Sequence, residues 1–243
     1  MSLFKLPTLL AVVILAGVRA SSADDSVADS TALIKWLLAE DRDLTGIPFS
    51  DVLVATTGKK IHAIDPASDA EWLDKLSDTL DRTLCAINEP THSIHSVTRI
   101  NEASRHIEDE LLRQLNSIPG MTCSIPTTSD GKEQRSGYPD LRLQLQDGRI
   151  IYLDPKLYAR DSRASSLRTF YYEPKTTTGK VHDDACHLLV GIAHNSGMGG
   201  SLRFEKWDLV DISKIKVRLK AEFQAANRDL YDPDTLIRSS DSR

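Results

Sequence analysis

Apolar positions along the chain follow two periods. Trp72, Leu73, Leu76, Leu80 and Leu84 recur every three or four residues between Pro66 and Asn88. Ile100, Ala103, Ile107, Leu111 and Leu115 repeat the pattern, from a start near Ser96 or Thr98 up to Pro119-Gly120. Both stretches predict amphipathic helices. Thr31–Glu40 predicts a shorter one, and Ala185, Leu188, Leu189 and Ile192 predict a helix over His182–Asn195. Strict alternation appears in Leu141, Leu143 and Leu145, and again after Gln146–Gly148 in Ile150 and Tyr152. Two strands joined by a short turn fit this pattern. Asp51–Asp65 carries two apolar runs around Thr57-Gly58, which predicts another hairpin, and Leu167–Glu173 and Arg203–Ile212 predict strands. Lys214–Asn227 fits either period.

From residue 96 onward the predicted order is helix, strand, strand, strand, helix, strand. This is an α/β arrangement of the α+β kind, with a mixed sheet, and not a uniform series of βαβ units. Residues 21–95 form an N-terminal extension of helix and hairpin, 96–231 the core, and 232–243 a polar tail. The N-terminus stands apart from all of this. Lys5 precedes the apolar run Leu6–Gly17, and small residues follow at Val18 and Ala20. That layout predicts an export signal over residues 1–20, hence a periplasmic or secreted protein. The alternative is a membrane anchor made by the same segment.

Charge sharpens the picture. The net charge of −5 becomes −7 once Lys5 and Arg19 are removed, so the chain is no general polyanion binder. Residues 21–90 hold 14 acids and 6 bases, whereas residues 132–180 hold 10 bases and 6 acids. A local basic strip of that kind steers a phosphate backbone. The three cysteines, Cys85, Cys123 and Cys186, match no zinc spacing. In an exported chain Cys85 and Cys123 are the preferred disulfide pair; as small apolar residues, all three would be buried. No glycine-rich phosphate loop occurs, so a nucleotide cofactor is not expected.

The basic strip surrounds the stretch SGYPDLRLQLQDGRIIYLDPKLYAR, Ser136–Arg160. On the first strand Asp140, Arg142 and Gln144 share a face; on the return strand Ile150, Tyr152, Asp154 and Lys156 do. A tightly paired hairpin brings Asp140 beside Asp154, with Lys156 next to them. Two close carboxylates repel unless a cation lies between them, and hard oxygen ligands suit Mg²⁺, with Mn²⁺ as the alternative. An adjacent lysine can orient a water and stabilise developing charge. These are the parts needed to hydrolyse a phosphodiester. Glu173-Pro174-Lys175 is a rival for the second half of the pattern, and Asp130-Gly131-Lys132 shares its acid-x-Lys form.

Pro139-Asp140 followed by Asp154-Pro155-Lys156 resembles the PD-(D/E)XK nuclease superfamily, with its restriction-endonuclease-like fold. The resemblance covers roughly half the chain. It implies a metal-dependent endonuclease acting on DNA, with Asp140, Asp154 and the Pro155 carbonyl as metal ligands and Lys156 serving the attacking water. It also implies a glutamate from the preceding helix. Glu108, on the stripe with Leu111, Leu112 and Leu115, is the candidate, while Glu102 and Glu110 fall away from that stripe. Arg160, Arg163 and Arg168 are candidate DNA contacts, with Tyr171 or Tyr172 near a base or sugar. Cutting both strands would suit a homodimer. A different class of reading keeps the fold and drops the chemistry, leaving an envelope protein that only binds. His182, His187 and His194, on or beside the next predicted helix with His187 and His194 near one face, offer a further metal-site candidate, without a matching acid pattern.

Overall fold

The computed structural model describes residues 30–36, 44–166, 170–196, 202–220, 225–235 and 237–238. The expected export segment and Arg168 lie outside them. Among the described residues no helix is long and apolar enough to cross a membrane.

The chain divides into two compact units. One contains residues 1–44 and 219–243 and includes a short helix over 30–36 (α1) and α5, Asn227–Leu230. The other, Thr45–Arg218, carries everything described below. Its elements are β1 (Ile47–Pro48), α2 (Phe49–Thr57), α3 (Ala70–Ile87), α4 (Ile100–Leu115), β2 (Met121–Ser124), β3 (Leu141–Leu145), β4 (Ile150–Ala159), β5 (Cys186–Ser196), β6 (Leu202–Asp211) and β7 (Lys216–Val217). Strands β2 to β6 form a mixed sheet in chain order. Every neighbouring pair is antiparallel except β4 and β5, which are parallel. The fold is therefore mixed α/β with a five-stranded sheet, compatible with a restriction-endonuclease-like core.

Each face of the sheet buries its own core. Helices α3 and α4 present Trp72, Leu76, Leu80, Ile107 and Leu111 to one face, where odd-numbered Leu141, Leu143, Ile151 and Leu153 meet them. The expected 3.6 and 2.0 periods interlock here as predicted. Residues 70–87, from the stretch expected to be an extension, thus pack in the same core as the sheet. On the other face α2 sets Phe49 and Leu53 against Ile150, Tyr152, Val181 and Ile212. Phe49 meets Tyr138, Phe170 and Tyr172 edge to face, at centroid distances of 5.8, 5.0 and 5.3 Å.

Three expected elements are overturned. The strand expected over Leu167–Glu173 is irregular chain where it is described, from residue 170 on, with Phe170 and Tyr172 packed on Phe49. The hairpin over Asp51–Asp65 is instead helix α2, which ends at Gly58 in the left-handed conformation (φ 70°). Its valines and threonines look like strand formers. Yet Phe49 and Leu53 stand four apart on one buried face, and the Thr56 and Thr57 hydroxyls donate back to the Val52 and Leu53 carbonyls. The helix expected over His182–Asn195 is strand β5. A strand buried on both faces needs no polar alternation, so its apolar run carries no period. Leu188, Val190 and Ile192 face the large core, and Ala185 and Leu189 the small one. The anticipated Cys85–Cys123 disulfide is also absent: Cys85 is exposed, Cys123 is buried in the core, and both are free, as is Cys186.

Candidate active site

The hairpin of β3 and β4 pairs Leu141 with Leu153 and Arg142 with Tyr152. One place beyond the Leu141–Leu153 pair, the same register sets Asp140 across from Asp154. Lys156 follows two residues on, on the same face of β4. Its ammonium lies 3.0 Å from Asp140 Oδ2 and 2.8 Å from Asp154 Oδ2. Pairing with β3 stops at Leu153, so Pro155 sits where one edge of β4 is no longer bonded, a place where a strand tolerates proline.

Burial decides the electrostatics. The Asp154 side chain is 2 % exposed, Asp140 12 % and Lys156 28 %. Burial first, and then the charge of Asp140, push the Asp154 carboxyl up to about 7 against the pull of Lys156. Burial alone would lower the Lys156 ammonium; Asp154 and Asp140 outweigh it and hold it above its ordinary value. Glu108 comes from α4, in the layer across the sheet. Burial and then Asp140 raise its carboxyl, opposed by Arg135 and Lys156. Arg135 pairs with Glu108 at 3.3 Å and with Asp109 at 2.5 Å. The structure thus gathers Glu108, Asp140, Asp154 and Lys156 into one charged neighbourhood.

The rivals gather elsewhere. Glu173 pairs with Lys175 and Asp130 with Lys132, each at 2.8 Å and each largely exposed. Glu110, expected away from the buried stripe, is buried instead, because Arg113 grips both carboxylate oxygens at 2.9 and 2.5 Å. Glu102 is exposed. Arg160 pairs with Glu205 and Arg163 with Asp208, both at 3.2 Å, so two of the candidate DNA contacts are tied to β6. Tyr172 belongs to the aromatic cluster of α2, with its hydroxyl 2.8 Å from that of Thr56, while Tyr171 is half exposed. His187 and His194 lie seven residues apart on a strand, hence on opposite faces, and form no shared site.

Among the described residues no three His, Cys, Asp or Glu side chains converge as a ready-made metal site. Two carboxylates do converge, and the Lys156 ammonium spans both. A pair of hard oxygen donors whose mutual repulsion raises one of them is chemistry that a divalent cation relieves. On that ground the donor set fits Mg²⁺ or Mn²⁺.

One residue of this neighbourhood has no sequence signature. Lys180 is 2 % exposed and feels Asp140, Asp154 and Glu108. Its partners are backbone carbonyls, which leave no trace in residue spacing.

Residues 43–234 match the Type II restriction enzyme MjaV family. The chain is also 31 % identical over 208 residues to a protein of Methanocaldococcus jannaschii named "Type II restriction enzyme MjaV", covering 80 % of this chain and 89 % of that one. No solved structure matches it.

Proposed function

Because the chain belongs to the Type II restriction enzyme MjaV family, we propose that it is a DNA endonuclease of the PD-(D/E)XK type. The observation that carries this reading is the single ammonium of Lys156 held between Asp140 and Asp154 at the open end of the β3–β4 ladder. Asp140, Asp154 and the Pro155 carbonyl would hold a Mg²⁺ ion, or alternatively Mn²⁺, with Glu108 as a third carboxylate. A divalent ion bound there supplies polarisation of the phosphoryl group and an acidified water.

The chain's own residues do the rest. Lys156, held above its ordinary value, keeps its proton and acts as a donor and a fixed charge rather than as a base. It orients the attacking water and meets the negative charge that grows on the phosphoryl oxygens. As water adds to phosphorus it gives up one proton to solvent, the bond to the departing deoxyribose oxygen breaks, and that oxygen takes up a proton from solvent. Burial of Asp154 keeps bulk water from screening these charges.

Digestion of supercoiled plasmid by purified protein tests the reading. Cleavage is expected with Mg²⁺ and is abolished by EDTA or by Asp154→Ala. Undiminished cleavage by that variant would sink the assignment. A homodimer that cuts both strands is part of the proposal, checked by sedimentation with and without DNA. Export through residues 1–20 is a separate proposal. Determining the N-terminus of the mature protein checks it, and a chain still starting at Met1 argues against it.

A further inference from the structure

We propose that Lys180 is a positioning residue for the cleavage site: its buried ammonium clamps the backbone at Gln134 and Arg135, and so sets both Glu108 and Asp140. The inference rests on the reading of that site as ion-binding.

An ammonium removed from water is costly unless its charge and its donors are both answered. Lys180 is 2 % exposed, and no carboxylate of the described residues lies within ion-pair distance of it. Its Nζ donates instead to the Gln134 carbonyl at 3.0 Å and more weakly to the Arg135 carbonyl at 3.4 Å. The charge is answered at longer range. Burial lowers the ammonium from its ordinary value, while Asp140, Asp154 and Glu108 all hold it up. A cation with neutral direct partners and three acids around it works through the segment it grips.

That segment leads to both ends of the site. The Arg135 side chain reaches Glu108 and Asp109, and five residues later the same chain delivers Asp140 to Lys156. The turn carrying Lys180 is shaped for the task. A side chain at Gly179 would place its Cβ 2.7 Å from the Lys175 carbonyl oxygen, so any other residue there forces a shift in the turn that carries Lys180. Lys180 also lines a cavity of about 280 Å³ beside Tyr138, so its position is fixed by hydrogen bonds and not by tight packing on every side.

Lys180→Met and Lys180→Gln separate a clamp from a bystander charge. Met removes both donor and charge; Gln removes the charge and keeps a donor for the carbonyls. Binding of Mn²⁺ to the metal-free full chain is measured by calorimetry, alongside kcat and KM for DNA cleavage. We expect Lys180→Met to lose about 10-fold or more in both Mn²⁺ affinity and kcat, with KM nearly unchanged, and Lys180→Gln to recover part of both. A bystander cation predicts the opposite sign, because removing it tightens Mn²⁺ binding; a rise, or no change, overturns the inference. Amide exchange over residues 134–140 reads the clamp without ion or DNA: it should quicken in Lys180→Met and slow again in Lys180→Gln. Unchanged exchange also overturns it. Should Lys180→Met fail to fold, Lys180→Gln and Gly179→Ala carry the same readouts. Wild-type protein that binds no Mn²⁺ and leaves DNA intact overturns the cleavage reading, whereas wild-type cleavage with an indifferent Lys180→Met overturns only the clamp.

Discussion

The Tyr138 hydroxyl lies 2.5 Å from Nδ1 of His187, with the two rings stacked at 5.9 Å. Burial pushes the Tyr138 phenol well above its ordinary value, so it keeps its proton. Burial pushes His187 down to about 3, so the ring is neutral in the folded protein. This contact ties β5 to the residue two before Asp140.

It also makes stability depend on acid. His187 takes up a proton more readily when unfolded, near 6.5, than when folded, so its contribution is full above about 6.5 and fades as pH falls toward 3. Between pH 7.5 and 5 this amounts to about 2 kcal/mol, at 1.36 kcal/mol per unit below 6.5. Urea unfolding at the two pH values should show the loss in the wild type and a smaller one in His187→Gln. Equal losses would place the acid sensitivity elsewhere.

Asp154 acts with the opposite sign. Its carboxyl is raised in the folded state, so its stabilising contribution is complete below about 4 and vanishes as pH climbs through about 7. Without divalent ions at pH 8, Asp154→Asn should therefore be more stable than the wild type, by about 1–3 kcal/mol. Adding Mg²⁺ or Mn²⁺ should raise the melting temperature of the wild type and leave the variant unmoved. A variant less stable than the wild type under these conditions would mean that the Lys156 pair outweighs the burial cost.

Each member of the charged cluster has its own expected kinetic weight. Asp140→Ala, Asp154→Ala and Lys156→Ala should lower the cleavage rate at least about a hundredfold, because the two carboxylates would hold the ion and Lys156 would meet the negative charge formed in the transition state. Glu108→Gln keeps the shape and the Arg135 hydrogen bond, and should cost about tenfold. Single-turnover cleavage on one DNA fragment, with binding measured in Ca²⁺, distinguishes these losses from lost affinity.

Arg160 and Arg163 are tied to Glu205 and Asp208, so any phosphate contact must compete with β6. If DNA wins, Arg163→Ala should weaken binding and reduce the salt slope by about one counterion, and Asp208→Asn should tighten it. Affinity measured between low and moderate salt decides this; unchanged slopes would assign both arginines to holding β4 against β6.

The legible parts of this molecule are those with one wet face. Helices α3 and α4 could be read because polar residues mark their outer sides, and the β3–β4 hairpin because Leu141, Leu143 and Leu145 alternate before a turn. That register is what brings Asp140 to Asp154, so the acidic pair and Lys156 could be foreseen from spacing. Strand β5 could not, since Leu188 through Ala193 is covered on both sides and no polar position keeps count. Helix α2 was hidden by its β-branched residues, which are strand formers on propensity and helical only through Phe49 and Leu53. Lys180 was beyond reach for a different reason: what holds it is carbonyl oxygen, which every residue has.

Strand β4 alternates between two cores, and the alternation sorts its residues by task. Ile151 and Leu153 point to α3 and α4, whereas Ile150 and Tyr152 point to the smaller core and, further along that same face, Asp154 and Lys156 meet in the charged cluster. Random substitution along this strand should therefore divide by parity. Ile151 and Leu153 would govern how long the protein survives heating, and Asp154 and Lys156 how fast it turns over, with Leu153 and Asp154, one residue apart, failing in unrelated ways.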